Sequence, residues 1–284
     1  MKQKIEICNA FNTHAAEYEQ AAVVQKEIGE RLFERLDYLK IQPRYVLDLG
    51  CGSGYFSQQL KKRYPNAQIV GLDFASNMLK EAQKKQSWLN KWPLVHADMT
   101  SMPFPSGLFD LVFSNQTIHW ADPLAPLMRE INRVMKKDGC FMFSTLGPDT
   151  FYELREAWAV ANQYAHTNDY MDMHHLGDLL LAEHFADPVV DMEMLTVHYP
   201  TLPKLLQSLK AQGVRNMNSA RNAGLTGRHS FRRFEEAMTQ HRSEDGDFPL
   251  TYEVVYGHAW KGTIHRAGQG SEVMIPVSQV KISQ

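Results

Sequence analysis

The apolar run Val46-Leu47-Asp48-Leu49 passes without interruption into glycines at alternate positions, Gly50, Gly52 and Gly54. A β-branched and apolar run of this length, starting just after Pro43, reads as a buried strand. The glycines after it read as a tight turn into a helix. Such a turn leaves backbone N–H groups unpaired at the carboxyl end of the strand, which is where open α/β sheets bind their ligands. The same rhythm recurs downstream. Further strands are expected at Gln68–Leu72, Pro93–His96, Leu108–Ser114 and Cys140–Thr145. Helices are expected from the glycine turn to Lys62, over Ser76–Ser87 and over Pro123–Met135, the last closing on Lys136-Lys137-Asp138 with Gly139 as its stop. Five strands alternating with helices predict a parallel sheet covered on both faces. Upstream, Val24, Ile28, Leu32, Leu36 and Leu39 recur at helical spacing and predict one amphipathic helix over 20–39.

The turn's spacing excludes two common ligands. Tyr55 stands where a dinucleotide fingerprint needs its third glycine, and no Lys-Ser/Thr pair follows to make a P-loop. Asp48, two residues before Gly50, would repel a phosphate but suits an ammonium- or sulfonium-bearing amino acid. Asp73, after the second strand, is placed to pair with ribose hydroxyls. Asp98, after the third, can accept from an adenine amino group. Any one of these carboxylates could instead cap a helix, but three at successive strand ends point together to a cofactor. Cys51 reads as a small apolar filler of the turn.

Composition sets outer limits. The chain has 284 residues, is 44% hydrophobic and carries a formal charge of −2, which suits a globular protein and by itself calls for no nucleic acid. No apolar run approaches a membrane span, and no signal-peptide core opens the chain. Cys8, Cys51 and Cys140 are too scattered for a disulfide framework or zinc site, so a cytoplasmic setting is expected. His166, His174, His175, His184 and Asp178 match no metal-ligand spacing, and no metal is expected.

The order of elements and their motifs resemble class I S-adenosylmethionine-dependent methyltransferases. VLDLGCGSG at 46–54 is similar to the first motif, GLD at 71–73 to the second, HAD with Met99 to the adenine-edge motif, and FDLVFSN at 109–115 to the fourth. The resemblance implies a Rossmann-like α/β sheet, S-adenosylmethionine as cofactor, S-adenosylhomocysteine as product, and cofactor contacts from Asp48, Gly50, Gly52, Gly54, Asp73, Phe74, Asp98, Met99 and Asn115. Segments outside this core narrow the family. FNTHAAEY at 11–18, GVRN at 213–216 with GLTGR at 224–228, and TYEVVYGHAW at 251–260 are similar to malonyl-acyl-carrier-protein O-methyltransferases of biotin synthesis. That family usually has Gln before the Trp of its fourth-motif loop, where this chain has His119 before Trp120.

The resemblance implies a carboxylate acceptor, the free end of a malonyl thioester on an acidic acyl carrier protein. With a pKa near ~4 such an acceptor is ionised at neutral pH and needs positioning, not a base. The stretch 201–234 contains Lys204, Lys210, Arg215, Arg221, Arg228, Arg232 and Arg233 and no Asp or Glu. It is expected to form a small, mostly helical, basic cap insertion (201–248) over the ligand edge. A methyltransferase core (41–200 and 249–262), an N-terminal helical segment (1–40) and a poorly patterned, disordered tail (263–284) make up the rest. Arg215 or Arg228 is the expected clamp on one acceptor oxygen. Lys204, Lys210, Arg221, Arg232 and Arg233 are expected to dock the carrier. Tyr18, His119 and Trp120 are the pocket candidates. The alternatives are a methyltransferase for a quinone or organic acid, and a non-methylating assembly factor of the same fold.

Overall fold

In the computed structural model, which describes residues 2–88, 90–212, 216, 218, 221, 224 and 226–262, strand β1 (Tyr45–Leu49) lies inside a seven-stranded sheet. Its companions are β2 (Gln68–Asp73), β3 (Leu94–His96), β4 (Phe109–Asn115), β5 (Met135–Leu146), β6 (Phe185–Tyr199) and β7 (Phe248–Lys261), in the order β3-β2-β1-β4-β5-β7-β6. The first five are parallel, and β7 runs antiparallel between β5 and β6. Successive strand residues face opposite ways, so the apolar runs feed two cores. Val46, Leu111, Phe113 and Met142 pack on one face; Leu47, Leu49, Val112, Phe141 and Phe143 pack on the other. The first face is covered by α2 (Val23–Glu34), which buries Val24, Ile28 and Leu32, and by α3 (Tyr55–Arg63), which buries Phe56 and Leu60. The second is covered by α5 (Ala125–Val134) and α7 (Met173–Ala182) through Leu127, Ile131, Leu176 and Leu180.

Two sequence expectations need correction. The helix over 20–39 is broken at Ala22, where φ −85° and ψ 40° leave the helical region. The break separates α1 (Lys2–Ala21) from α2, and a short 3-10 turn, Arg35–Tyr38, closes α2. The apolar stripe that packs on the sheet belongs to α2 and, through Leu36, to this turn. The basic end of α5 is not helical either. Met135 already pairs with Phe109 and Cys140 with Leu111, and the register shift between them bulges Lys136–Asp138 into solvent. Asp138, at φ 62°, takes the left-handed turn expected of Gly139. The helices of the insertion also bury apolar faces of their own. Helix α8 (Leu202–Ala211) buries Leu202 and Leu205 in the first sheet-face core, and Phe234 of α9 (Arg228–Met238) stacks 4.0 Å from Trp158 of α6 (Tyr152–Ala161). Asn216, Asn218 and Arg221 reach the edge: Asn216 donates to the Ala165 carbonyl and Asn218 to Asp169. Arg215 and the tail after Gly262 lie outside the described residues.

Candidate active site

The carboxyl ends of β1, β2 and β4 border an open cleft, placed where open α/β sheets bind their ligands. Gly50, Gly52, Asp73, Phe74, Asp98, Met99 and Asn115 line it together with Tyr18 and Trp120. It continues, through the shared residues Tyr18, Gly50, Gly52 and Asn115, into a smaller cavity lined by Asp48, Gln25, Lys26 and Ser53. A third cavity, lined by His119, Trp120, Thr145, Asp169, Tyr170 and Asn218, shares Ile7 and Trp120 with the first. Gly52, at φ +51°, has open space where a Cβ would stand, so its lack of a side chain leaves the cleft floor clear.

Gly54 has another purpose. It is at φ +77° and lines neither cofactor cavity; a Cβ there would stand 2.8 Å from Cβ and 3.1 Å from Cα of Ala82, on α4 (Ser76–Lys84). This glycine lets α3 start tightly against α4, a packing role that its place in the motif did not reveal.

The three carboxylates are held differently. Asp48 is buried, accepts from Ser57 Oγ at 2.5 Å, and has its pKa pushed up to about 7, chiefly by burial against the opposing Ser57 hydrogen bond. Asp73 accepts from the Gly52 and Ala75 N–H groups at 2.9 and 2.8 Å; burial still raises its pKa. Asp98 is half-buried. Burial pushes its pKa upward, but Lys4 at 2.7 Å and the Thr100 donors hold it below the usual carboxylate range. The cleft thus presents acceptors from one end to the other, and Gln25 Oε1 next to it is buried without a donor among the described residues. That chemistry fits a cofactor bearing an ammonium, ribose hydroxyls and an adenine amino group.

Tyr18 was expected at the pocket, but much of the wall beside it was not foreseen in the sequence. Lys4, Ile7, Phe11 and Tyr18 form one face of α1 and line the cleft, at spacings of three, four and seven residues that a helical reading of 2–21 would have revealed. Phe11 packs edge-on against Tyr18, Phe74 and Trp120, with centroids 6.1, 6.4 and 5.5 Å away. Asn12 accepts from the Asn77 N–H at 2.8 Å, fastening α1 to α4. Burial and the nearby Asp73 push the Tyr18 phenol up to about 12. In the third cavity, Thr145 Oγ1 lies 3.3 Å from His119 Nδ1, Tyr170 stands edge-on to the ring at 5.5 Å, and burial lowers the His119 pKa to about 3.

The basic residues disperse. Arg228 opens α9, exposed, and lines neither the cofactor cleft nor the His119 cavity. Arg221 pairs with Glu6 of α1 at 2.6 Å, which makes it a tie between insertion and α1. Lys204, Lys210, Arg232 and Arg233 are exposed, Arg232 pairing with Glu236 at 2.9 Å. Among the described residues no group of three His, Cys, Asp or Glu could hold a metal, and no helix is long and apolar enough to cross a membrane. His166 stacks on Trp158 at 3.8 Å and His174 bonds Asp172.

Residues 47–143 match the methyltransferase domain family. Over 275 residues, covering 97% of both chains, the sequence is 60% identical to a malonyl-[acyl-carrier protein] O-methyltransferase of Legionella pneumophila subsp. pneumophila. The chain belongs to that family. The malonyl-[acyl-carrier protein] O-methyltransferases share their fold widely. The Bacillus subtilis protein YcgJ is similar at a TM-score of 0.57, with 15% identity over 82% of this chain and 98% of its own. The [4+2]-cyclase SpnF is similar at 0.52, with 18% identity over 84% of this chain and 81% of its own. A cyclase on the same fold means that architecture alone names no reaction; for this chain, membership of the O-methyltransferase family does.

Proposed function

We propose that the chain transfers the methyl group of S-adenosylmethionine to the free carboxylate of a malonyl group carried on acyl carrier protein, giving the methyl ester that primes pimelate and biotin synthesis. The observation that carries this reading is the 60% identity, spread over 97% of the chain, to a relative named for that substrate. When bound, S-adenosylmethionine supplies an electrophilic methyl group on a sulfonium. The acceptor oxygen takes the methyl and loses its charge, and no proton moves. Such a reaction asks the protein for alignment and exclusion of water. The wall of Ile7 and Trp120 between cleft and third cavity suits that task. His119, with its pKa lowered to about 3, is too weak a base to activate a neutral hydroxyl at pH 7. An ionised acceptor has no need of one.

Of the two expected acceptor clamps, Arg215 and Arg228, the second lines neither cavity, which favours the first. Arg228 joins Lys204, Lys210, Arg232 and Arg233 as the exposed basic surface for the acidic carrier, and a cytoplasmic setting goes with this substrate. Labelled methyl transfer to malonyl-acyl carrier protein and to malonyl-coenzyme A, each at rising ionic strength, tests the reading. Ester should form on the carrier substrate, with a KM that climbs with salt more steeply than for the coenzyme A thioester. Cofactor binding without ester formation would refute the function. A salt-insensitive KM would remove the docking surface alone.

A further inference from the structure

The smaller cavity beyond the glycine turn is asymmetric in charge. Its inner wall holds the buried carboxylate of Asp48 and the buried, donorless Oε1 of Gln25. The orientation of Gln25 is fixed by its neighbours: its Nε2 donates to Gln212 Oε1 at 2.9 Å, an oxygen that also accepts from Tyr252. The outer wall holds Lys26, from the first turn of α2. Its Nζ is 4.7 Å above the Tyr55 ring. Its ion pair with Glu30, one turn along the same helix, is loose at 3.8 Å and partly solvated, and the same Glu30 oxygen accepts from the Tyr55 hydroxyl at 2.8 Å. The other charged groups at this cavity are already matched: Glu19 pairs with Lys85 at 2.6 Å, and Lys85 also donates to Ser53 Oγ at 3.1 Å.

We infer that Lys26 is a cofactor-binding residue, the cationic partner of the α-carboxylate at the methionine end of S-adenosylmethionine. An α-amino acid head is a zwitterion of short span, and it fits a cavity with acceptors inside and a half-exposed ammonium outside in one orientation only. Its ammonium faces Asp48 and its carboxylate faces Lys26. Tyr55 holds the Lys26 side chain over its ring, which limits the freedom lost on binding. The inference rests on the cofactor and is independent of which acceptor the enzyme methylates.

Calorimetric titration with S-adenosylhomocysteine, its decarboxylated analogue and 5′-methylthioadenosine tests it without any acceptor. Lys26→Met should weaken S-adenosylhomocysteine about five- to tenfold, as expected for a partly solvated charge pair. It should leave the two ligands that lack a carboxylate within about twofold, which also shows that the variant is folded. Lys26→Arg should recover most of the loss. An unchanged S-adenosylhomocysteine affinity, an equal loss for all three ligands, or a selective loss in Lys85→Met instead would each overturn it. A failure to methylate malonyl-acyl carrier protein, with these affinities as expected, would strike only the proposed acceptor.

Discussion

Gly52 and Gly54 both have left-handed backbone, but their surroundings differ. At Gly52 a methyl group would project into open cleft; at Gly54 it would press on the backbone of α4. Gly52→Ala should therefore cost the free protein only about 1 kcal/mol of backbone strain while weakening S-adenosylhomocysteine at least ~10-fold. Gly54→Ala should lose about 2–4 kcal/mol through strain and overpacking together. Thermal melts with and without S-adenosylhomocysteine separate the two, since ligand should still stabilise the Gly54 variant. Asp48 offers a second test. Its pKa is raised to about 7 in the free protein, and only its ionised form can pair with an ammonium. Affinity for S-adenosylhomocysteine should rise roughly fivefold between pH 6 and pH 7 as that carboxylate ionises, and the slope should vanish in Asp48→Asn. Sequence alone located both residues but not their difference: motif spacing specifies where a glycine falls, whereas what its missing Cβ would touch is set by α4, from another part of the chain.

Helix α1 is the element whose position the sequence least revealed. Its stripe of Lys4, Ile7, Phe11 and Tyr18 is narrow and mixes charge with aromatics, so it lacks the continuous apolar signal that marks α2. The reason is physical: α1 packs against a ligand cleft rather than the sheet. It is held there by Phe11 among three aromatic rings, by Asn12 on α4 and by the half-exposed Lys4–Asp98 pair. The aromatic contact should dominate, because exposed ion pairs contribute little. Phe11→Ala is expected to raise the KM for S-adenosylmethionine about tenfold and speed proteolysis ahead of Ala22, with Lys4→Met changing either by no more than about threefold. Limited digestion followed by mass measurement, beside steady-state kinetics, provides the check. The strands behaved otherwise. Each of the five parallel strands foreseen in the sequence is present, because buried parallel strands write themselves as uninterrupted apolar runs. The bulge at Lys136–Asp138 was missed because a basic turn before glycine is also how helices end.

At the scale of the whole molecule, cofactor binding and folding meet in the buried acids. An aspartate whose folded pKa lies above its unfolded value keeps a proton that the unfolded chain has released. The stability of the free protein should therefore fall as pH rises from the ordinary carboxylate range to about 7, the value reached by Asp48. Asp73, also raised, acts in the same direction. S-adenosylhomocysteine should reverse the trend, its stabilisation growing over the same interval; chemical denaturation at pH 5, 6 and 7 with and without ligand would show it. The acceptor was legible only from segments distant from the glycine turn, since a carboxylate that needs no base leaves no catalytic dyad to read. One consequence follows from the placement of α1. Ile7 faces both cleft and third cavity, Lys4 pairs with Asp98 at the cleft, and Glu6 holds Arg221 of the insertion. A single helix is thus the common door to two rooms. A displacement of α1 that opens the cleft would also disturb the wall beside it, so S-adenosylhomocysteine should inhibit competitively against S-adenosylmethionine and non-competitively against the acceptor, as product-inhibition kinetics would show.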